Sequence, residues 1–363
     1  MSLKIRKFYL FLRLTLVLLL AILAGGNFIK GQTPAPPKLP KPKSNPKPEK
    51  SSKPESDFKF KFPQTSPRRP PAAFDFDFDT SEKAIVVDPK VNISLCVQGG
   101  NIRINGWDRS EVRVFINEGS PVGFKVLQKN RQTEKPVWIM VAAFDKKKGA
   151  GISEECISGD EIEIDAPRNA VVNIKSQESQ TVIDSIGKVS IKNLVGDIML
   201  NNIANGAEAV TYEGDVIVEK SSGAMSLQSI RGNIAVSNAS PSEIGDVFKA
   251  KTNNGAIFLD SIEHRQLEIN TNSGSIRYTG EILNNGQYAF GTQGGSIVMY
   301  IPADSSCKVS AVYGYGTFNS EISLKNIEKN PSSPAKSLTA IMGDGGAALN
   351  LTTFRGSINI KKQ

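Results

Sequence analysis

The chain has 363 residues, enough for one large or two modest domains with a sizeable core. Its formal net charge of +8 is unevenly placed: through Ala73 there are 15 Lys and Arg against 3 Asp and Glu, or +12, which leaves −4 for the remainder. That balance argues against a nucleic-acid surface on any folded part, and a single histidine, three cysteines and no CxxC argue against an ordinary zinc site.

Residues 1–31 read as a signal peptide. Lys4, Arg6 and Lys7 form a positive start, Leu16 to Ala24 is an unbroken apolar run, and small residues (Ala24, Gly25, Gly26, Gly31) follow. The run is short beside the roughly 20 residues of a spanning helix. The competing reading is an uncleaved N-terminal anchor from Phe8 to Ala24, inserted despite Arg13, which would be the chain's one membrane contact. No cysteine lies there for lipidation. Export to the periplasm, the outer surface or the medium is the expectation.

Residues 32–73 interleave Pro and Lys (PAPPKLPKPKSNPKPEKSSKPES) and cannot bury a core, so an extended, disordered linker is expected. It is either a solvated spacer or a contact for anionic polymers and lipid headgroups. Two hexamers alternate with period two: DFKFKF at Asp57–Phe62 and FDFDFD at Phe74–Asp79, the latter within a strand-like segment, 74–84. Antiparallel pairing would set lysine opposite aspartate. A single edge strand, or two sticky segments in a disordered tail, are the alternatives.

Short β-branched runs separated by turn residues fill 85–167, expected to be an irregular N-terminal β subdomain or cap. Lys146–Glu154 reads as an exposed hairpin tip and Trp107 as a packing residue under a hairpin. Cys96 and Cys156 either bridge, leaving Cys307 over, or all three are buried thiols; sequence does not fix the pairing.

In 168–363 a glycine followed two residues later by Ile or Val recurs. Gly196, Gly214 and Gly232 are 18 residues apart, Gly255, Gly274 and Gly295 follow at separations of 23, 19 and 21, and Gly356 heads a late copy. Weaker half-period glycines (Gly187, Gly206, Gly223, Gly286) lie between. Such a period predicts a solenoid. Each GxI strand offers two inward residues, such as Ile198/Leu200 and Val216/Val218, too few for a layer unless coils stack. The fold expected is an all-β, single-stranded β-solenoid of about 20 residues per coil and seven to eight turns, with the glycines at its corners. The intervening strands also alternate, with Val189/Ile191, Val210/Tyr212 and Met225/Leu227 inward. Their outward residues are polar (Ser190, Thr211, Ser226, Lys249, Glu268), with Ala289 the exception. In the GxI strands the outward set is Met199, Ile217, Ala235, Phe258, Arg277 and Val298, five of them apolar. That stripe is either covered by 85–167 or by an irregular coil, or is a partner face made by Met199, Ile217, Ala235, Phe258 and Val298.

GNIRINGWDRSEVRV (Gly100–Val114), EIEIDAP to VVNIKSQ (Glu161–Gln177) and strands such as KTNNGAIFL and INTNSGSIRY together resemble an exported bacterial β-strand-repeat family of undetermined function. It is commonly labelled "putative adhesin" and is related to autotransporter-adhesin heads. The resemblance covers Ile85 to Lys362 and implies a right-handed solenoid-like fold, export and a surface role. It supplies no catalytic residue, and the linker and hexamers fall outside it.

No GxSxG, HExxH, P-loop or EF-hand pattern occurs. Asp197 and Asp215, one period apart, are the one candidate acid or cation pair; as turn residues in solvent they would have no such role. His264 lies on an expected turn. No catalytic, cofactor or metal residue is assigned. The reading is an exported non-enzymatic binding or scaffold protein whose partner, an envelope polymer or a protein, the sequence does not name. The alternative is a carbohydrate-active β-helix enzyme. End-to-end self-association is a third.

Overall fold

The computed structural model describes residues 81–145, 151–152, 156–331 and 336–363. All described strands belong to one compact unit within Ala73–Gln363. The leader, the linker, both phenylalanine hexamers and most of Lys146–Glu154 lie outside the described residues.

The N-terminal strands are β1 (Ser81–Val86), β2 (Asn92–Trp107), β3 (Glu111–Asn117), β4 (Val122–Lys129), β5 (Pro136–Asp145), β6 (Gly151–Ile152) and β7 (Ile157–Pro167). Coils then follow in pairs. The first are β8 (Val171–Glu178) with β9 (Thr181–Asp184), β10 (Lys188–Val195) with β11 (Ile198–Asn201), and β12 (Ala207–Glu213) with β13 (Val216–Ser222). Next come β14 (Met225–Arg231) with β15 (Ile234–Ser240) and β16 (Val247–Asn254) with β17 (Ile257–Ile262). The series continues with β18 (Gln266–Ser273) and β19 (Ile276–Thr279), then β20 (Gln287–Thr292) and β21 (Ile297–Ile301). From β8 to β21 each strand pairs in parallel with the strand two along the chain, making two in-register ladders of a β-solenoid.

The core lies between the ladders. Ile198, Leu200, Val216, Val218 and Ile234 are fully buried in the second ladder, as are Val189, Ile191, Phe248 and Ile269 in the first. They belong to one apolar cluster running from Val87 to Ile360, so the two inward residues of each strand act as a core because stacking joins them. Strand β12 departs from the expected parity. Ala207, Ala209 and Thr211 point inward, whereas Val210 is half-buried and Tyr212 exposed. Register explains it: Ala209 lies between Ile191 and Leu227 of the adjacent coils, so two small alanines fill a level where neighbours are large.

The corner glycines stack on one another. A Cβ on Gly214, Gly232, Gly255, Gly274 or Gly295 would collide with the carbonyl oxygen of the corner glycine one coil earlier. Gly214 and Gly232 also have positive φ, but from Gly255 onward close approach alone forbids a side chain. The carbonyls so crowded are satisfied from inside. The buried hydroxyls of Thr211, Ser229, Thr252, Thr271, Thr292 and Thr353 donate to the carbonyls of Gly196, Gly214, Gly232, Gly255, Gly274 and Gly295 at 2.8–3.2 Å. Thr211, read from sequence as outward and polar, is therefore a member of this internal column.

Within residues 85–167 the strand β2 stacks directly on the first coil of the solenoid. Residues 92–97 of β2 pair with β8 and residues 102–105 with β9, so β2 alone forms a coil in both ladders. On its far side lie β5 and β7, and then antiparallel β4, β3 and β1. Cys96 is joined to Cys156, just before β7, by a disulfide, and Cys307 is free and buried. At the other end the chain runs out of order. It passes through β22 (Cys307–Val312), β23 (Phe318–Ser320), β24 (Leu324–Asn330) and β25 (Ser337–Met342) before β26 (Ala347–Thr353) and β27 (Ile358–Lys362). Yet β26 pairs with β20 and β27 with β21, while β22 and β23 stack beyond them. The coil β26–β27 is thus inserted between two coils that precede it, which is why Gly356 packs on Gly295 and Gly316 on Gly356. With β2 at one end and this insertion at the other, the stack exceeds seven to eight turns. Antiparallel β25 and β24 finish the first ladder.

Candidate functional site

Asp197 and Asp215 follow consecutive corner glycines and sit one coil apart, as their spacing requires. Their carboxylates face the next backbone amide. Asp197 Oδ1 accepts the N–H of Asp215 at 2.8 Å, and Asp215 Oδ1 accepts the N–H of Asn233 at 2.7 Å. Asn233 Oδ1 continues with Ala256 N–H at 2.9 Å, and Ser275 and Ser296 hydroxyls do the same farther along. The column is interrupted at Ala256, which has no side-chain acceptor to offer Ser275, and resumes with the hydroxyls of Ser275 and Ser296. Among the described residues no group of three or more acids, histidines and cysteines is placed to hold a metal ion.

Met199, Ile217, Ala235, Phe258, Arg277 and Val298 align in register on the outside of the second ladder. Ala235 is buried, Arg277 exposed, and the other four half-buried. Among the described residues of 85–167, β1, β3 and β7 occupy the end of this ladder as further strands. The next outward column carries acids, Asp184, Glu219 and Asp260. Burial holds the Glu219 carboxyl above the usual carboxylate range, against the opposing pull of Lys220.

The first ladder holds a feature absent from the sequence reading. Its outward columns are filled by Lys249, Glu268 and Asn350 on one line and by Lys251, Asn270 and Thr352 on the next. In β20 those two positions are Ala289 and Gly291. Two missing side chains leave a cleft of about 380 Å³, floored by these residues and walled by Asn270, Asn350, Thr352 and Lys251. Asn272 and Gln293 stand at its corner edge. Phe354 lies one coil on from Gln293 and Tyr315 two coils on; they are exposed by 42% and 63%, their rings edge to face at 5.2 Å. Ala289 as the lone apolar residue of its outward set was the signal in the sequence.

Two other singled-out residues are structural. Trp107 donates its Nε1–H to the Glu111 carbonyl at 2.8 Å beneath the β2–β3 turn, with Arg109 and Arg113 over its ring. His264 is fully buried before β18, its Nε2 bonded to the Gly223 carbonyl at 2.8 Å while Nδ1 has no partner. Burial pushes its pKa below the usual value, only partly offset by the Gly223 carbonyl. Burial also raises the Cys307 thiol to about 11, so it is a packed thiol and not a nucleophile.

Three solved structures resemble the described architecture at low sequence identity. A "putative cell adhesion protein" of Clostridium sporogenes is 13% identical, with 78% of this chain and 100% of that chain covered and a TM-score of 0.21. A "putative adhesin" of Parabacteroides distasonis is 12% identical, at 78% and 98% coverage and a TM-score of 0.33. A second "putative adhesin", from Bacteroides fragilis, is 12% identical, at 78% and 97% coverage and a TM-score of 0.23. No curated protein matches the chain. Residues 92–361, from the first solenoid coil to the last, match the family model described as Toastrack DUF4097, and the chain belongs to that family.

Proposed function

We propose that the chain is an exported, non-enzymatic binding or scaffold protein, adhesin-like in role, which presents ladder faces to a partner outside the cytoplasm. The observation that carries this reading is the use of its one candidate acid pair. Asp197 and Asp215 accept backbone N–H groups of the next coil at 2.8 and 2.7 Å. A carboxylate committed in this way is poorly placed to exchange protons with a substrate. The outward columns are by contrast regular and aligned, and Met199, Ile217, Ala235, Phe258 and Val298 form the partner face on this reading. The names of the solved relatives and the leader-like residues 1–31 fit such a role.

The test is a pair of assays on the full chain. Incubated with a panel of envelope polysaccharides, it should release no reducing ends. Hydrolysis abolished by Asp197→Asn or Asp215→Asn would establish the carbohydrate-active alternative instead. Immobilised and exposed to fractionated envelope, it should retain a component that Ile217→Lys releases. N-terminal sequencing of protein recovered from cells should find a start within 25–32; recovery from the membrane with Met1 intact would favour the anchor.

A further inference from the structure

We propose that the cleft over Ala289 and Gly291 is a binding site for an acidic saccharide, one bearing a carboxylate such as a uronic acid. This goes beyond the partner face, since the cleft lies on the other ladder.

The cleft is polar where it can be reached and is built by omission. Every outward neighbour of Ala289 and Gly291 in the adjoining coils carries a longer side chain. A ligand that replaces the two missing side chains meets the amides of Asn270 and Asn350 and the hydroxyl of Thr352. Neutral amides and hydroxyls both donate and accept, as sugar hydroxyls do. Among the described residues no carboxylate lines the cleft. The nearest acid in the columns, Glu268, is held by Lys249 at 3.0 Å. Lys251, by contrast, is exposed and makes no ion pair among the described residues, so it is the one net charge on the wall. That selects an anion over a neutral sugar, and a carboxylate on a hydroxyl-rich body over a bare anion.

The aromatic pair supplies the remaining contact. Arg355 N–H donates to the Gln293 carbonyl at 3.1 Å, which fixes Phe354 beside the corner edge of the cleft, and Tyr315 N–H donates to the Phe354 carbonyl at 3.0 Å. An exposed ring held by backbone bonds is a flat apolar platform for the C–H face of a sugar, and Tyr adds a polar tip. Coils stack about 4.8 Å apart, close to the length of one sugar unit in an extended chain. A saccharide lying across the coils would therefore set successive units over Asn270, Gly291 and Thr352, with an end unit against Tyr315.

The experiment is calorimetric titration of the full chain with a short oligogalacturonate, its methyl ester and a neutral malto-oligosaccharide. The acid should bind, and its methyl ester about tenfold more weakly, as loss of one charge-assisted hydrogen bond gives. Lys251→Gln should bring acid and ester to the same affinity. Gly291→Val refills the column with a residue already tolerated at Val210 in the same line; its Cβ displaces the end of the Asn270 side chain, which now lies 2.6 Å from that position, and it should abolish binding with a small loss of Tm. If that variant fails to fold, Asn350→Ala and Tyr315→Ala serve in its place, each with an expected loss of about tenfold. Absence of oligogalacturonate binding at millimolar concentration, equal binding of acid and ester, or binding indifferent to all four substitutions would overturn the proposal. So would equally tight binding of a poly-glutamate peptide with the same dependence, which would make the site one for acidic peptides. Retention of an envelope component through Ile217 in the preceding assay would stand whichever result is obtained.

Discussion

Asp215 both gives and receives along one column: its N–H donates to Asp197 Oδ1 at 2.8 Å, and its own Oδ1 accepts from Asn233 N–H at 2.7 Å. The side chain is thus a link between three coils, and its charge is incidental to that task. Asp215→Asn should cost less than about 1 kcal/mol, because Asn233 already makes the same bond one coil on. Asp215→Ala leaves the Asn233 N–H without its acceptor and should cost about 1–3 kcal/mol. Urea unfolding of the two variants checks this; equal losses would show that the carboxylate itself matters.

Two glycines separate close approach from backbone conformation. Gly245 has φ +97° and nothing within 4 Å of an added Cβ, whereas Gly255 has an unrestrictive φ and a carbonyl oxygen in the way. Gly245→Ala should therefore cost about 1 kcal/mol of strain. Gly255→Ala should cost roughly 3 kcal/mol or more, since two coils must move apart. Thermal unfolding should show the larger fall in Tm at Gly255.

His264 gives the fold a pH dependence. Its ring is buried, and burial holds its pKa below the usual imidazole range. As pH falls below about 6.5 the unfolded chain takes up a proton that the folded ring resists, so stability is lost in that direction and is full above it. His264→Gln should lower stability at pH 8 through the disturbed Gly223 contact, yet flatten its decline between pH 6.5 and 5. A parent and variant with parallel pH profiles would contradict this.

The Cys96–Cys156 disulfide spans 60 residues and ties the first coil to the start of β7. By loop closure alone its reduction should cost about 4 kcal/mol. The effect should appear in denaturant midpoints measured with and without reductant. Alkylation under native conditions should leave buried Cys307 unmodified.

The corner glycines and the inward Ile and Val residues told of the coil in advance because both are imposed by one physical demand, close stacking of identical turns. Parity at Val210/Tyr212 misled because that strand places two alanines inward, and hydrophobicity alone ranks Val and Tyr above Ala. The internal hydroxyl at Thr211 read as a surface residue; its burial, like that of Ser229 and Thr252, depends on the crowded carbonyls beside it, which no single strand displays. The gap of 61 residues between Gly295 and Gly356 was legible as an irregularity. Its meaning was not, since counting a period assumes that neighbours in sequence are neighbours in space. The cleft over Ala289 and Gly291 escaped notice for a related reason. It is defined by the side chains of adjacent coils and not by its own.

The late coil β26–β27 also sets a timetable. Strands β22 and β23 are made first but have no seat on the stack until Ala347–Lys362 arrives to lie between them and β20–β21. A chain emerging N-terminus first can lay down its coils as far as β21 and must then hold some 45 residues in waiting. The far end closes last and all at once, like a clasp. Until it does, β20 and β21 present bare strand edges, the form in which this protein is most open to pairing with another copy of itself.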